Sequence, residues 1–327
     1  MHLDWYIALA GLIVGFAVGL TGMGGGALMT PVLVILFGVQ PLAAVSSDLV
    51  ASLIMKPLGV AVHAGKRTVR WPLVAWLSLG SVPAAFSGVV FLRLLGHGQA
   101  VQDIVQFALG AVLLIAVAAL VIRWVADRRS PGRGVVSPTG PIQVRRAATL
   151  AIGVVIGFVV GITSVGSGSL VIVLLLLLYP RLRGSATVGT DLAQAIPMVG
   201  SAAIAHMIFG DFRLALTLSI VIGSVPGVLL GAIVSTRSGT GFIRAALCAV
   251  LVLSGLKLVG VPTAALGAAL VASLVALPAG WVVLRRRAGG RSTAGEAPVL
   301  DMQHTVREID QRQVVGGNEA RLTAASD

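Results

Sequence analysis

A chain of 327 residues that is 57% hydrophobic and only 11% charged, with a mean hydropathy of +0.98, is excluded from the soluble globular class. The net charge of +12 raises nucleic acid as a partner, but the cations gather in loops and at helix ends. Arg123, Arg128, Arg129, Arg133, Arg145 and Arg146 lie mid-chain, and Arg285, Arg286, Arg287 and Arg291 near the end. That is the positive-inside distribution of a membrane protein, so nucleic acid is not expected as a partner. The single cysteine, Cys248, excludes an internal disulfide and a thiolate-cluster metal site. The five histidines lack metal-ligand spacing, so no metal or other cofactor is expected. There is no Gly-x-x-x-x-Gly-Lys-Ser/Thr loop for ATP hydrolysis and no convergent nucleophile–base set, so the chain does not read as an enzyme.

Apolar runs long enough to cross a bilayer recur along the chain and predict an all-α polytopic membrane protein of eleven elements. Met1–Asp4 lacks a basic region, so the first run is expected to be a retained helix rather than a cleaved signal peptide. The first half holds 6–21, a short element at 27–37, then 42–64, 72–92 and 101–125. A basic loop, 126–146, separates it from 147–163, a short element at 170–178, then 186–208, 214–235 and 242–258. One further helix, 263–284, has no counterpart. The organisation expected is a first membrane repeat over 1–125, a cytoplasmic loop over 126–146 and a second repeat over 147–259. An extra transmembrane helix over 260–284 and a disordered cytoplasmic tail over 285–327 follow.

The halves are related by duplication. Gly11, Gly15 and Gly19, followed by Thr21 and Gly24-Gly25-Gly26, return as Gly153, Gly157 and Gly161, followed by Thr163 and Gly166-Ser167-Gly168. With one residue inserted, Ser47-Asp48-Leu49 lies over Thr190-Asp191-Leu192, His63 over His206, Arg70 over Arg213, and Gly80-Ser81-Val82-Pro83 over Gly223-Ser224-Val225-Pro226. If every element crosses, five precede the central loop and six follow it. That count places the N-terminus outside and the C-terminus in the cytoplasm. The repeats are then inverted: the basic stretch Gly65–Arg70 falls inside and its neutral partner Phe209–Arg213 outside.

Glycines four apart predict a flat strip for close helix approach. The breaks after them, Gly24–Gly26 and Gly166–Gly168, predict two interrupted helices whose restarts present free N–H groups and positive dipole ends, an arrangement suited to an anion. The short elements read either as re-entrant half-helices or as the far halves of discontinuous ones. Thr21, Thr163 and Ser167 add hydroxyls. Lys56 is the candidate fixed positive charge, and the alternative for it is a structural pair with Asp48. Asp48 and Asp191 are candidates for proton coupling, and His63 and His206 for gating; for the histidines the competing role is helix-end partner to carbonyls.

These residues together resemble the TauE/SafE sulfite exporter family. The likeness rests on the two glycine-rich openings, Ala44-Val-Ser-Ser-Asp48-Leu49, Lys56-Pro-Leu-Gly-Val-Ala-Val-His63, Val188-Gly-Thr-Asp191-Leu192, the paired Gly-Ser-Val-Pro motifs and Gly255-Leu-Lys257-Leu258. The resemblance implies a bacterial inner-membrane secondary transporter that exports a small sulfur-containing or organic anion such as sulfite or a sulfonate. The expected partners are that anion and the bilayer, and with no nucleotide site either protons as coupling ion or the membrane potential would supply the drive. Two departures stand out: Ser167 where the first copy has Gly25, and Gln194 where the family pattern carries histidine. An anion channel and a non-transporting membrane assembly partner are the other readings that the residues leave open.

Overall fold

The computed structural model describes residues 4–21, 25–64, 69–96, 98–129, 144–179, 184–235, 241–262 and 265. The helices are α1 (Trp5–Thr21), α2 (Gly26–Leu36), α3 (Pro41–Ala64), α4 (Trp71–Leu94) and α5 (Gln99–Arg129) in the first half. The second half has α6 (Arg146–Thr163), α7 (Ser169–Leu178), α8 (Gly184–Phe209), α9 (Leu214–Ser235) and α10 (Gly241–Leu258). The expected eleventh helix at 263–284 and the tail fall outside the described residues, apart from Ala265. Among the described residues there is no strand. In lipid a backbone must satisfy its own hydrogen bonds, and a helix does so within one segment.

The burial pattern is that of a membrane protein, with polar groups inside and apolar ones outside. Asp48, Asp191, Gln194, His206 and a set of serines and threonines are buried, while Ile13, Phe107, Ile115, Val155, Ile204 and Ile233 are exposed. Trp5, Tyr6 and Trp71 stand exposed at helix starts, where aromatic rings favour the lipid–water boundary. Among the described residues, five helices are long and apolar enough to span a membrane.

The glycine strips bring backbones into direct contact, but across the repeats rather than within them. A Cβ on Gly11, Gly15 or Gly19 of α1 would strike the carbonyls of Ile220, Ser224 and Val228 on α9. Gly223, Gly227 and Gly231 of α9 reciprocate against Ala8, Leu12 and Phe16. The same interlock joins α6 to α4, with Gly153, Gly157 and Gly161 on the carbonyls of Leu77, Ser81 and Ala85. In both pairs the numbers rise together, so the helices run parallel. The first helix of each half is thus clasped by the fourth helix of the other.

Other contacts exchange in the same way: α5 with α7 matches α10 with α2, and α4 with α8 matches α9 with α3. The third helices, α3 and α8, meet each other and run antiparallel. Ser46 lies against His206 and Leu53 against Gly200.

The short helices point in opposite directions. Gly25, just before α2, lies near Ser52 and Met55, and Thr30 one turn later reaches Asp48, so α2 runs against α3. At the far end of α7 the Tyr179 hydroxyl bonds the Thr149 hydroxyl at 2.6 Å and accepts from the Arg145 N–H at 2.9 Å. Both partners sit at the start of α6, so the chain from Ser164 to Tyr179 returns along α6, first without helix and then as α7.

Where a glycine meets backbone, a side chain has nowhere to go. Gly157→Ala is expected to cost about 3 kcal/mol, the upper range for overpacking, because the Ser81 carbonyl cannot yield. Gly200→Ala, whose Cβ would meet only the end of Leu53 at 3.6 Å, is expected to gain up to about 1 kcal/mol of helix propensity. Thermal unfolding of the two variants in detergent checks the contrast.

Candidate functional site

The second break is built by three backbone reversals. Ser164 caps α6 in the left-handed conformation at φ 59°, and Gly166 and Gly168 follow at φ 120° and 112°. Glycine takes such angles freely, but serine does so at a cost, so something must hold Ser164. Its hydroxyl donates to Asp48 Oδ2 at 2.5 Å, and Thr30 of α2 donates to the same oxygen at 3.1 Å. Asp48 therefore ties α3 to both interrupted segments.

Two further ionisable groups attach to the same break. The Lys56 ammonium donates to Ser167 Oγ at 2.7 Å and interacts electrostatically with both Asp191 and Asp48. Asp191, from α8, accepts the N–H of Gly168, the residue before α7, while its Oδ1 is buried with no hydrogen-bond partner. Each charge placed at mid-helix in a membrane costs about 3 kcal/mol on insertion scales. Three converging on five residues of broken helix mark a site rather than scattered surface charge.

The two breaks touch. A Cβ on Gly26, the first residue of α2, would collide with the Ser164 carbonyl. Neither α2 nor α7 has a side-chain cap, so their first-turn N–H groups are left to other partners. Two opposed helix starts therefore flank Lys56.

Of the residues singled out in the sequence, Gly25, Gly26, Asp48, Lys56, Gly166, Ser167, Gly168 and Asp191 meet here. Thr163 lies beside them but spends its hydroxyl on its own backbone, donating to the Val159 carbonyl at 2.7 Å. Gly24 and the side chains of Thr21 and His63 lie outside the described residues.

His206 sits one layer away, fully buried. Its Nε2 lies 2.8 Å from the Gly161 carbonyl, which can only accept, so that nitrogen carries the proton. The carbonyl is one that α6 leaves unpaired by ending. Nδ1 meets Ser46 Oγ at 2.8 Å, and that hydroxyl also reaches the Leu42 carbonyl. His206 thus joins α8, α6 and α3 just beneath the break, as a partner to helix-end carbonyls.

Sequence reading missed Thr30, Ser164 and Ser46. Ser164 stands inside the repeated motif where the first copy has Gly22, and that substitution was a legible signal. Thr30 and Ser46 carried none. Gln194 is buried on α8 one turn beyond Asp191, with Nε2 donating to Ser81 Oγ at 2.7 Å.

The family model described as sulfite exporter TauE/SafE matches residues 7–258. The probable membrane transporter protein YjnA of Bacillus subtilis (strain 168) is 40% identical over 255 residues, 77% of this chain and 98% of that protein. No solved structure matches the chain. Fold and relatives together define a multi-pass membrane transporter. Within that class, the chain belongs to the TauE/SafE family.

Replacing His206 by Leu removes two hydrogen bonds and leaves the Gly161 carbonyl buried and unpaired. A loss of about 2–4 kcal/mol is expected. A fall in the melting temperature, with the helical signal retained below it, is the measurement that checks this.

Proposed function

We propose that this chain is a secondary transporter that exports a small sulfur-containing or organic anion, sulfite or a sulfonate being the class, across a bacterial inner membrane. The observation that carries the reading is the Lys56 ammonium, held on Ser167 between two uncapped helix starts. Anions favour helix N-termini, where free N–H groups and the dipole act together. The family description, sulfite exporter, supports the direction and the substrate class.

The repeats are inverted in this reading. Antiparallel α3 and α8, together with the exchanged contacts of the outer helices, support it. Transport follows from rocking one set of clasped helices against the other around the fixed site. The N-terminus lies outside and the basic central loop and C-terminus in the cytoplasm. An anion leaving alone would gain about 2.3 kcal/mol from about 100 mV, inside negative, whereas one that leaves with a proton from the carboxylates is driven by its own gradient.

The test is flux in vesicles holding the purified full chain, with sulfite, thiosulfate, sulfoacetate and chloride, with and without a pH gradient. Saturable flux of a sulfur oxyanion is expected, and saturation separates a transporter from a channel. Lys56→Met and Gly25→Leu, present at normal folded amounts, should each lower it by roughly tenfold or more, equivalent to about 1.4 kcal/mol of binding. Unchanged flux in both variants would remove the site.

A further inference from the structure

The charges around the breaks do not balance for an anion. Asp48, Lys56 and Asp191 bring two carboxylates and one ammonium, a net −1 when all are ionised. Each helix start counts as about half a positive charge, so α2 and α7 together bring the site only to neutral. An arriving anion would then be left uncompensated in an apolar interior, where unpaired charge is least tolerated. One proton on a carboxylate supplies the missing balance.

The two carboxylates are not equivalent as acceptors of that proton. Asp48 Oδ2 already receives the hydroxyls of Ser164 and Thr30, two donors that suit an ionised group. Asp191 has one oxygen on the Gly168 N–H side and Oδ1 buried with no partner. A bare carboxylate oxygen in such a place costs more than a protonated one. Gln194 Oε1, one helical turn along α8, is also buried and unpartnered, so Asp191 has an acceptor neighbour and no further donor.

Of the charged and titratable groups around Asp191 among the described residues, Lys56 alone favours the ionised carboxylate, and an arriving anion competes with Asp191 for that ammonium. From α3 come Lys56 and, beyond it, Asp48. From α7 comes only the Gly168 N–H at its start. From α6 comes Arg146, turned onto the Trp76 ring, and exposed Arg70 precedes α4, its backbone N–H on Thr190. On α4 itself the one such group is Arg93, at the end that lies beside Phe209 and Gly210. On α8, His206 is four turns away and committed to Gly161.

We propose that the anion and one proton occupy the site together, the proton on Asp191, and that they cross in the same direction. This rests on the anion reading above and adds its stoichiometry, sign and residue. The proton enters from the aqueous side that delivers the anion, binds at Oδ1 and leaves with the anion on the other side, so that the loaded and empty carriers differ by no net charge for a monovalent anion.

The experiment uses the purified full chain in weakly buffered solution, with methanesulfonate and benzenesulfonate as probes because both stay singly charged across the pH range. Above the range in which the free protein keeps the Asp191 proton, adding either is expected to draw about one proton per anion bound, and affinity should fall about tenfold per pH unit. Asp191→Asn, a neutral stand-in for the protonated acid, should bind without proton uptake and with a flat pH profile. Asp103→Asn, an exposed carboxylate at the start of α5 away from the breaks, should keep the slope. If Asp191→Asn does not fold, the wild-type titration decides alone, joined by the infrared band of a protonated carboxyl, which should grow on anion addition.

Anion binding without proton uptake, with proton release, or with the slope intact in Asp191→Asn would overturn the proposal and leave the anion site standing. Failure of both probes and of sulfite to bind at any pH would bring down the functional reading itself, and this proposal with it.

Discussion

The hydrogen bond from Ser164 to Asp48 is the contact on which the centre of the molecule depends. A helix interrupted inside an apolar interior leaves N–H and C=O groups with no water to receive them. The protein answers by wrapping the interruption with side chains from α3 and α8 rather than with solvent. Asp48 takes the Ser164 hydroxyl, Lys56 the Ser167 hydroxyl and Asp191 the Gly168 N–H, while His206 takes the Gly161 carbonyl. Polar residues that would be costly alone each find a partner at the break, Asp191 through one of its two oxygens, so interruption and ionisable cluster require one another.

Glycine serves two separate purposes within one motif. In α1, α6 and α9 it removes side chains so that backbones touch, and the interlock it creates runs between repeats. Past the helix ends it permits reversal, and at Gly166 and Gly168 the positive φ shows why no other residue suits. The clasped pairs α1–α9 and α4–α6 form stiff units, and the antiparallel α3 and α8 carry the charges between them.

Duplication sets the frame, but the chemistry lies where the copies differ. Lys56 corresponds to Val199, Thr30 to Ile172, Ser164 to Gly22, Ser167 to Gly25, and Gln194 to Ala51. Among the ionisable residues singled out at the site, the aspartates and the histidines are kept in both copies. The second break consequently carries Ser164 and Ser167 where the first has Gly22 and Gly25.

The sequence alone determined the helical membrane class, nearly every helix boundary to within a few residues, the duplication and the positions of both breaks. These follow from hydropathy, charge placement and glycine spacing, which are local properties of the chain. It also picked out Asp48, Lys56 and Asp191, because ionisable residues inside apolar runs stand out one at a time. It left undecided whether the short helices returned or continued, because the path of a broken chain is fixed by what it touches; Tyr179 meeting Thr149 is a contact across thirty residues. Only the tertiary structure paired α1 with α9 and α4 with α6, and only it showed that both breaks and all three charges share one place. Exchange between repeats depends on complementary surfaces from distant segments, and no period or spacing within either segment encodes which partner fills them.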